Sequence, residues 1–152
     1  MNISINNISA EQIGESLEFE GKIIKVEDST PLVIKGSYKC LDCMETYTVI
    51  NNKINDKYTP DVCLDCGSNK IKFMPNQSKY IDSQELLVED TEDFVDRYSR
   101  KRKPRIIKCV VYGNDVNQHI ENDNVIINGV LNVTIKKEMF IEVTDINLLE
   151  NI

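Results

Sequence analysis

The apolar and polar positions of this chain fall mostly into short runs that alternate with a period of two. FEGKIIKVED is rich in β-branched residues and stops at the turn-prone DSTP, which predicts a first strand. LVIKGSYKC predicts a second strand, with Gly36 expected to mark a bulge or bend. YTVINNKI predicts a third and shorter one, followed by the loop NDKYTPD. NKIKFMP and YIDSQELLVED predict two more, and RKPRIIKCVVYG another, entered through Pro104 with a dense β-branched run from Ile106 to Val111. Toward the C-terminus, Val133 and Ile135 alternate with Asn132, Thr134 and Lys136. Beyond the turn at Lys136-Lys137-Glu138, Met139, Ile141 and Val143 alternate with Phe140, Glu142 and Thr144. Period two on both arms predicts a β-hairpin with a basic tip.

Helical signal is nearly absent. NISAEQIGES predicts a short helix or turn, capped by Ser9 with Gln12 three residues on. Asp115 to Glu121 is expected to form a single helical turn. With about seven to nine short strands, the chain is expected to be mainly β, a small barrel or sandwich.

Composition sharpens this. The 152 residues are 41% hydrophobic, enough for one domain with a real core, and aromatics are only 7% with no Trp, so the core must be largely aliphatic. No apolar run approaches membrane-span length, so no membrane partner is expected. MNISINNISAEQ lacks the basic and apolar regions of a signal peptide. Five cysteines then point to thiols or a metal rather than a disulfide framework, in a cytoplasmic setting.

The net charge is −7, so any nucleic-acid binding must rest on a local patch. Charge is segregated: Asp82, Glu85, Glu89, Asp90, Glu92, Asp93 and Asp96 are followed by Arg97, Arg100, Lys101, Arg102, Lys103 and Arg105. Taken alone, such blocks read as a solvated loop.

The tetrapeptide CLDC occurs twice, as Cys40–Cys43 and Cys63–Cys66. Two CxxC pairs with such a spacer are the sequence form of one four-thiolate site: each folds into a knuckle that aims two sulfurs at one ion. Gly67, directly after Cys66, suits the sharp backbone turn of a knuckle. Zinc is the favoured ion, although spacing alone does not separate it from iron. A redox CxxC would open a helix in a βαβ unit, and neither copy has that setting. Cys109, inside a strand, reads as a small buried apolar residue, and His119 as an ordinary surface residue.

Four cysteines close a metal site, which makes it structural rather than catalytic. Gly14…Gly21-Lys22 has too long a spacer for a phosphate-binding loop, and there is no nucleophile elbow. One histidine cannot support most acid–base schemes. The chain reads as a binding or assembly module, not an enzyme.

The order of the parts carries a resemblance. FEGKIIKV, STP, a strand running into YKCLDC, the second knuckle, S-x-Y-x-D-x-Q-E (Ser78 to Glu85), VED, an acidic stretch, KPRII, DNVIINGVL and a basic-tipped hairpin closing on LLE follow one another. This resembles the amino-terminal domain of the minichromosome maintenance (MCM) replicative DNA helicases, in an archaeal-like form, over roughly residues 12 to 150. The resemblance implies an OB-fold five-stranded barrel at about 17–150, after a short segment at 1–16. A zinc ribbon would be inserted at about 38–76 and a C-terminal hairpin would lie at about 130–145.

It also implies roles. Cys40, Cys43, Cys63 and Cys66 match the ligands of one structural zinc ion. Glu89 to Pro104, including Asp90, matches the loop that communicates with the motor domain. Lys136 and Lys137 match the basic hairpin tip, and Lys22, Lys25 and Arg105 match the barrel surface that binds single-stranded DNA. Phe19, Tyr38 and Tyr112 are the rings expected to stack on bases. The partners implied are single-stranded DNA, further copies in a hexameric or double-hexameric ring, and a downstream ATPase domain. Localisation would be nucleoid-associated, or nuclear in a eukaryote.

Against the family pattern, the sequence is expected to lack a motor after the hairpin and a helical subdomain before the barrel. VED also stands in place of a glutamine-glutamate pair, and ENDNV in place of a Pro-Gly-Asp turn. The rival reading is a structural, protein-interacting module with negligible DNA binding: a truncated or stand-alone relative, or an OB and ribbon element of transcription or translation machinery.

Overall fold

A computed structural model of the chain describes residues 2–50 and 62–149. In chain order the strands are β1 (Ser16–Val26), β2 (Thr30–Cys40), β3 (Thr46–Ile50), β4 (Ile71–Phe73) and β5 (Lys79–Glu89). They continue with β6 (Phe94–Val95), β7 (Lys101–Arg102), β8 (Ile106–Tyr112), β9 (Asn124–Val133) and β10 (Met139–Leu148). The chain divides into two compact units, Met1–Thr30 with Asp82–Ile152, and Pro31–Ile81.

In the first unit five strands close a ring. β1 pairs antiparallel with β9, β9 with β10, β8 with β5, and β5 with β1, while β10 and β8 pair in parallel. This mainly β ring, with one parallel seam, is the five-stranded barrel of an OB-fold. Closure needs tilted, coiled strands, and two register shifts supply it, between Ile23 and Lys25 in β1 and between Val143 and Asp145 in β10.

The barrel interior follows the period-two pattern of the sequence. Leu17, Phe19 and Ile23 of β1, Leu86 and Val88 of β5, Val125, Ile127 and Leu131 of β9 and Ile141 of β10 are all buried. Cys109 of β8 joins them, and burial pushes its thiol far up, so it is an inert core residue. Ile5 and Ile8 of the N-terminal segment are buried in the same core. Ala10–Gln12 is a single 3₁₀ turn, and the Gln12 side chain accepts from the Ser9 N–H at 2.9 Å, as the sequence predicted.

Several expectations change. The turn of 3₁₀ helix near residue 115 covers Gly113–Asp115, not Asp115 to Glu121, because the chain bends again at Asn117, whose φ is 63°. In the hairpin, Val133 and Ile135 face outward and Asn132 is buried. Its amide donates to Glu142 at 2.6 Å, and that bond offsets its burial. The acidic block is not one solvated loop: Asp82 to Glu89 lie in β5, and Asp90 is 5% exposed.

In the second unit β2 is the central strand, with β3 on one edge and β4 on the other, both antiparallel. Tyr38 packs its ring on Phe73 at 5.4 Å between centroids. Gly36 is not a bulge. It sits in unbroken register opposite Val49, and a Cβ there would come within 2.9 Å of the Tyr38 ring, so close approach explains the glycine. Part of YTVINNKI and all of NDKYTPD lie outside the described residues.

Candidate metal centre and nucleic-acid surface

The two CLDC segments fold alike. In the first, the Met44 N–H donates to the Cys40 carbonyl at 2.9 Å; in the second, the Gly67 N–H donates to the Cys63 carbonyl at 2.9 Å. The residue after each second cysteine takes a left-handed conformation, φ 67° at Met44 and 75° at Gly67. Glycine accepts that geometry readily and methionine does not, so the first knuckle holds a strained residue that the sequence did not announce. The Cys40 N–H donates to the Glu45 carbonyl and the Cys63 N–H to the Ser68 carbonyl, which closes each loop. The knuckles are also tied to each other: Ser68 donates to the Asp42 carboxylate, and the Leu41 N–H donates to the Lys70 carbonyl at 2.9 Å.

This brings Cys40, Cys43, Cys63 and Cys66 together, with all four Sγ atoms within 4.8 Å of one another. Cys40 Sγ is 3.6 Å from Cys66 Sγ, and Cys43 Sγ is 3.5 Å from Cys63 Sγ. A tetrahedral ion with metal–sulfur bonds of about 2.3 Å requires sulfurs roughly 3.8 Å apart, so the donor set fits a four-thiolate metal site. The distances are far beyond a disulfide bond, and all four thiols are free. The Tyr47 hydroxyl donates to Cys63 Sγ at 2.8 Å. This bond, opposed by burial and helped by the N–H groups of Cys66 and Asp65, holds the Cys63 thiol below the usual cysteine range and so favours the thiolate that binds a metal. Tyr47 is a supporting residue that knuckle spacing cannot reveal, because it comes from β3.

The residues expected to meet DNA are dispersed. Lys22 and Lys25 are exposed on β1. Lys22 stands in register with Glu89, and Lys25 pairs with Glu27 at 3.0 Å. Lys136 and Lys137 are exposed at the β9–β10 turn, where Lys137 adopts φ 67° and donates its N–H to the Thr134 carbonyl at 2.8 Å. The neighbouring Glu138 lies 3.9 Å from Lys108. Arg105 turns instead to the N-terminal segment, where its guanidinium donates to the carbonyls of Asn6 at 3.1 Å and Ile8 at 2.8 Å.

Two of the rings expected to stack on bases are core residues: Phe19 is fully buried in the barrel and Tyr38 is buried in the ribbon unit. Tyr112 is half-buried, and burial together with the Glu142 carboxylate pushes its hydroxyl pKa up. The aromatic side chains most exposed among the described residues are Tyr98 and Tyr80 instead.

The stretch between Asp90 and Pro104 leaves and re-enters the barrel at one point, closed by the Asp90 N–H donating to the Arg105 carbonyl at 3.0 Å. Glu89 ends β5 between Lys22 and Ile106. Asp90 accepts from the Ser4 hydroxyl, from the Asn6 N–H at 2.9 Å and from the Glu92 N–H at 3.0 Å. Beyond it, β6 and β7 form a two-stranded hairpin of their own.

Comparison with known proteins agrees with this architecture. Residues 4–135 match the model of the MCM OB domain. The zygotic DNA replication licensing factor mcm6 of Xenopus tropicalis is 27% identical over 107 residues, 68% of this chain and 13% of that protein. The probable DNA helicase MCM8 of Arabidopsis thaliana is 27% identical over 135 residues, 86% of this chain and 16% of that protein. The minichromosome maintenance protein MCM of Saccharolobus solfataricus is 22% identical over 136 residues, 86% of this chain and 19% of that protein. The chain thus spans less than a fifth of the length of these relatives. With the barrel, its inserted four-cysteine unit and a family match over most of its length, this chain belongs to the minichromosome maintenance family and is built on that family's OB domain.

Proposed function

We propose that the chain is the amino-terminal module of an MCM-type replicative helicase, binding single-stranded DNA without sequence preference and helping subunits assemble into a ring. One observation carries this reading. A four-cysteine unit interrupts an OB barrel between its first and second ring strands, and the barrel ends in a hairpin tipped by exposed Lys136 and Lys137. Lys22, Lys25, Lys136 and Lys137 would neutralise phosphates and release counterions, so affinity falls as salt rises. Arg105 is assigned to holding the N-terminal segment rather than to DNA.

The ion at Cys40, Cys43, Cys63 and Cys66 is zinc in this reading, and it supplies no chemistry beyond fixing the ribbon. The ribbon would help copies of the chain meet in a hexamer or double hexamer, and the ATPase motor would lie in a downstream domain. The communication loop at Glu89 to Pro104 would carry signals to that motor.

The test is titration of a fluorescent single strand at low and moderate salt, with wild type and with Lys136→Glu/Lys137→Glu. Loss of two phosphate contacts should weaken binding and lower the salt slope by about 1.4. Unmeasurable binding of the wild type at low salt would sink the DNA reading. It would favour the second reading, a protein-interaction module, which the net charge of −7 supports. Sizing with and without a chelator tests assembly: an oligomer that survives metal loss is not held by the ribbon.

A further inference from the structure

We propose that the β6–β7 hairpin and its flank, residues 94–105, form a separate contact site for single-stranded nucleic acid, with Tyr98 as its stacking ring. The segment is folded, not a loose charged loop. Phe94 pairs with Arg102 and Val95 with Lys101. Asp96 is the hub of the turn: one carboxylate oxygen accepts the N–H groups of Tyr98 at 2.9 Å and Arg100 at 3.0 Å. The other accepts Nε of Arg100 at 2.8 Å and of Arg102 at 3.3 Å. The Asp96 N–H donates to the Arg100 carbonyl at 3.0 Å, and Ser99 closes the turn with φ 62°. These bonds hold Asp96 below the usual carboxylate range even though burial opposes its charge, so the hub stays ionised.

Charge and shape decide the ligand. Asp96 is the only acid between 94 and 105, against the six bases Arg97, Arg100, Lys101, Arg102, Lys103 and Arg105. The segment carries +5 within a chain of net charge −7. Asp96 engages Arg100 and Arg102 and Arg105 holds the N-terminal segment; Arg97, Lys101 and Lys103 make no ion pair among the described residues. An acidic polypeptide would need only the charge.

The feature it would not need is Tyr98. This ring is 63% exposed and lies against guanidinium groups, with Arg97 at 4.9 Å and Arg100 at 5.2 Å from its centroid. Its hydroxyl accepts from Arg97 at 2.6 Å. An exposed aromatic ring in contact with two guanidinium groups, on a segment that carries further cations, is the surface on which unpaired bases stack while phosphates are neutralised. Duplex nucleic acid offers no unstacked base to it, so single strands are the class selected.

The test uses the full chain, a fluorescein-labelled oligothymidine and anisotropy at several salt concentrations. Arg97→Glu/Lys101→Glu/Lys103→Glu leaves Asp96 and both of its arginines in place. It should weaken binding by roughly tenfold or more and lower the salt slope by about two. Tyr98→Ala should weaken binding by roughly 5- to 100-fold, while Tyr98→Phe stays near wild type. An oligonucleotide carrying iodouracil should photo-crosslink to Tyr98.

Unchanged affinity and slope in the triple variant, or an unchanged affinity in Tyr98→Ala, would overturn the proposal. So would displacement of the oligonucleotide by polyglutamate as readily as by unlabelled oligothymidine. Lys136→Glu/Lys137→Glu separates this site from the hairpin tip. If that pair alone abolishes binding and the Tyr98 and triple variants do not, the tip reading stands and this one falls. The converse result leaves this site standing and removes the tip.

Discussion

The guanidinium of Arg105 donates to the carbonyl of Ile8 at 2.8 Å, although the two residues are 97 positions apart. The same nitrogen reaches the Asn6 carbonyl, and the Arg105 N–H donates to the Asn6 side chain at 3.0 Å. Across the base of the 91–104 excursion, Asp90 accepts from Ser4 and from the Asn6 N–H. Residues 4–8 therefore grip both ends of that excursion at once, while Ile5 and Ile8 are buried in the barrel core. The position of the basic hairpin is thereby tied to the order of the N-terminal segment.

Arg105→Ala removes the charge-assisted bonds to Asn6 and Ile8 and leaves two carbonyls without that donor. The expected cost is about 2–4 kcal/mol of unfolding free energy, measured by urea denaturation. Hydrogen exchange should accelerate at residues 4–8 and at 91–104 but not in β9 or β10. Uniform acceleration across the barrel would show that Arg105 does not act locally.

Asp90 gives the acid limb of stability. Burial disfavours its charge, but the Ser4 hydroxyl and the N–H groups of Asn6, Glu92 and Thr91 outweigh it and hold its pKa below the usual carboxylate value. A carboxylate depressed in the folded state stabilises the fold above its unfolded pKa of about 3.9, and that stability is lost as pH falls through the folded value. Asp90→Asn should lower stability at neutral pH and flatten the dependence of Tm on pH below about 4. An acid limb as steep as that of wild type would remove Asp90 from this role.

Much of this was legible in the sequence, and the rest was hidden for physical reasons. Most barrel strands announced themselves by alternation, β8 by its dense β-branched run from Ile106 to Val111, and the knuckles because thiolate spacing is local. What a local pattern cannot encode is a partner far along the chain: the parallel seam of β10 with β8, the turn of Arg105 toward Ile8, or Tyr47 reaching Cys63 from β3. The pairing of β2 with β3 has no bulge at Gly36; a bulge and a close ring contact leave the same trace in sequence. Phe19 and Tyr38 were expected at a DNA surface but fill cores, since a large ring is placed by whatever apolar face its strand presents inward. Tyr98 leaves no signal in the sequence, because it sits in a charge block that reads as a solvated loop and only the Asp96 turn gives it a fixed place.

Gln84 shows how a motif residue can act through structure alone. It is 3% exposed, its amide donates to the Glu27 carbonyl at 2.9 Å and to Asn117 at 3.1 Å, and its oxygen accepts the Asn117 N–H at 3.0 Å. It pins the turn after β1 and the loop after β8 to β5. Gln84→Met keeps the volume but leaves those partners unsatisfied, so unfolding free energy should fall by about 2 kcal/mol. Single-strand affinity at low salt should stay within about twofold of wild type. A stable variant with reduced binding would instead place Gln84 at the nucleic-acid surface.

The metal centre offers the most direct measurement. Purified chain should carry one zinc ion per chain by atomic absorption, and chelation should unfold residues 31–81 while the strands of the barrel keep their exchange protection. Cys40→Ser and Cys63→Ser should each abolish stoichiometric binding, whereas Cys109→Ala, a core position in the other unit, should retain it. Tyr47→Phe is the finer probe. It deletes the hydroxyl that donates to Cys63 Sγ but keeps the ring, so metal affinity should drop by about tenfold in competition with a chromophoric chelator. The drop should shrink at alkaline pH, where the free Cys63 thiolate forms without the donor and the hydroxyl no longer helps to deprotonate the ligand. Tyr47→Phe with wild-type affinity would mean that the Tyr47 hydroxyl, though 2.8 Å from Cys63 Sγ, contributes nothing to holding the ion.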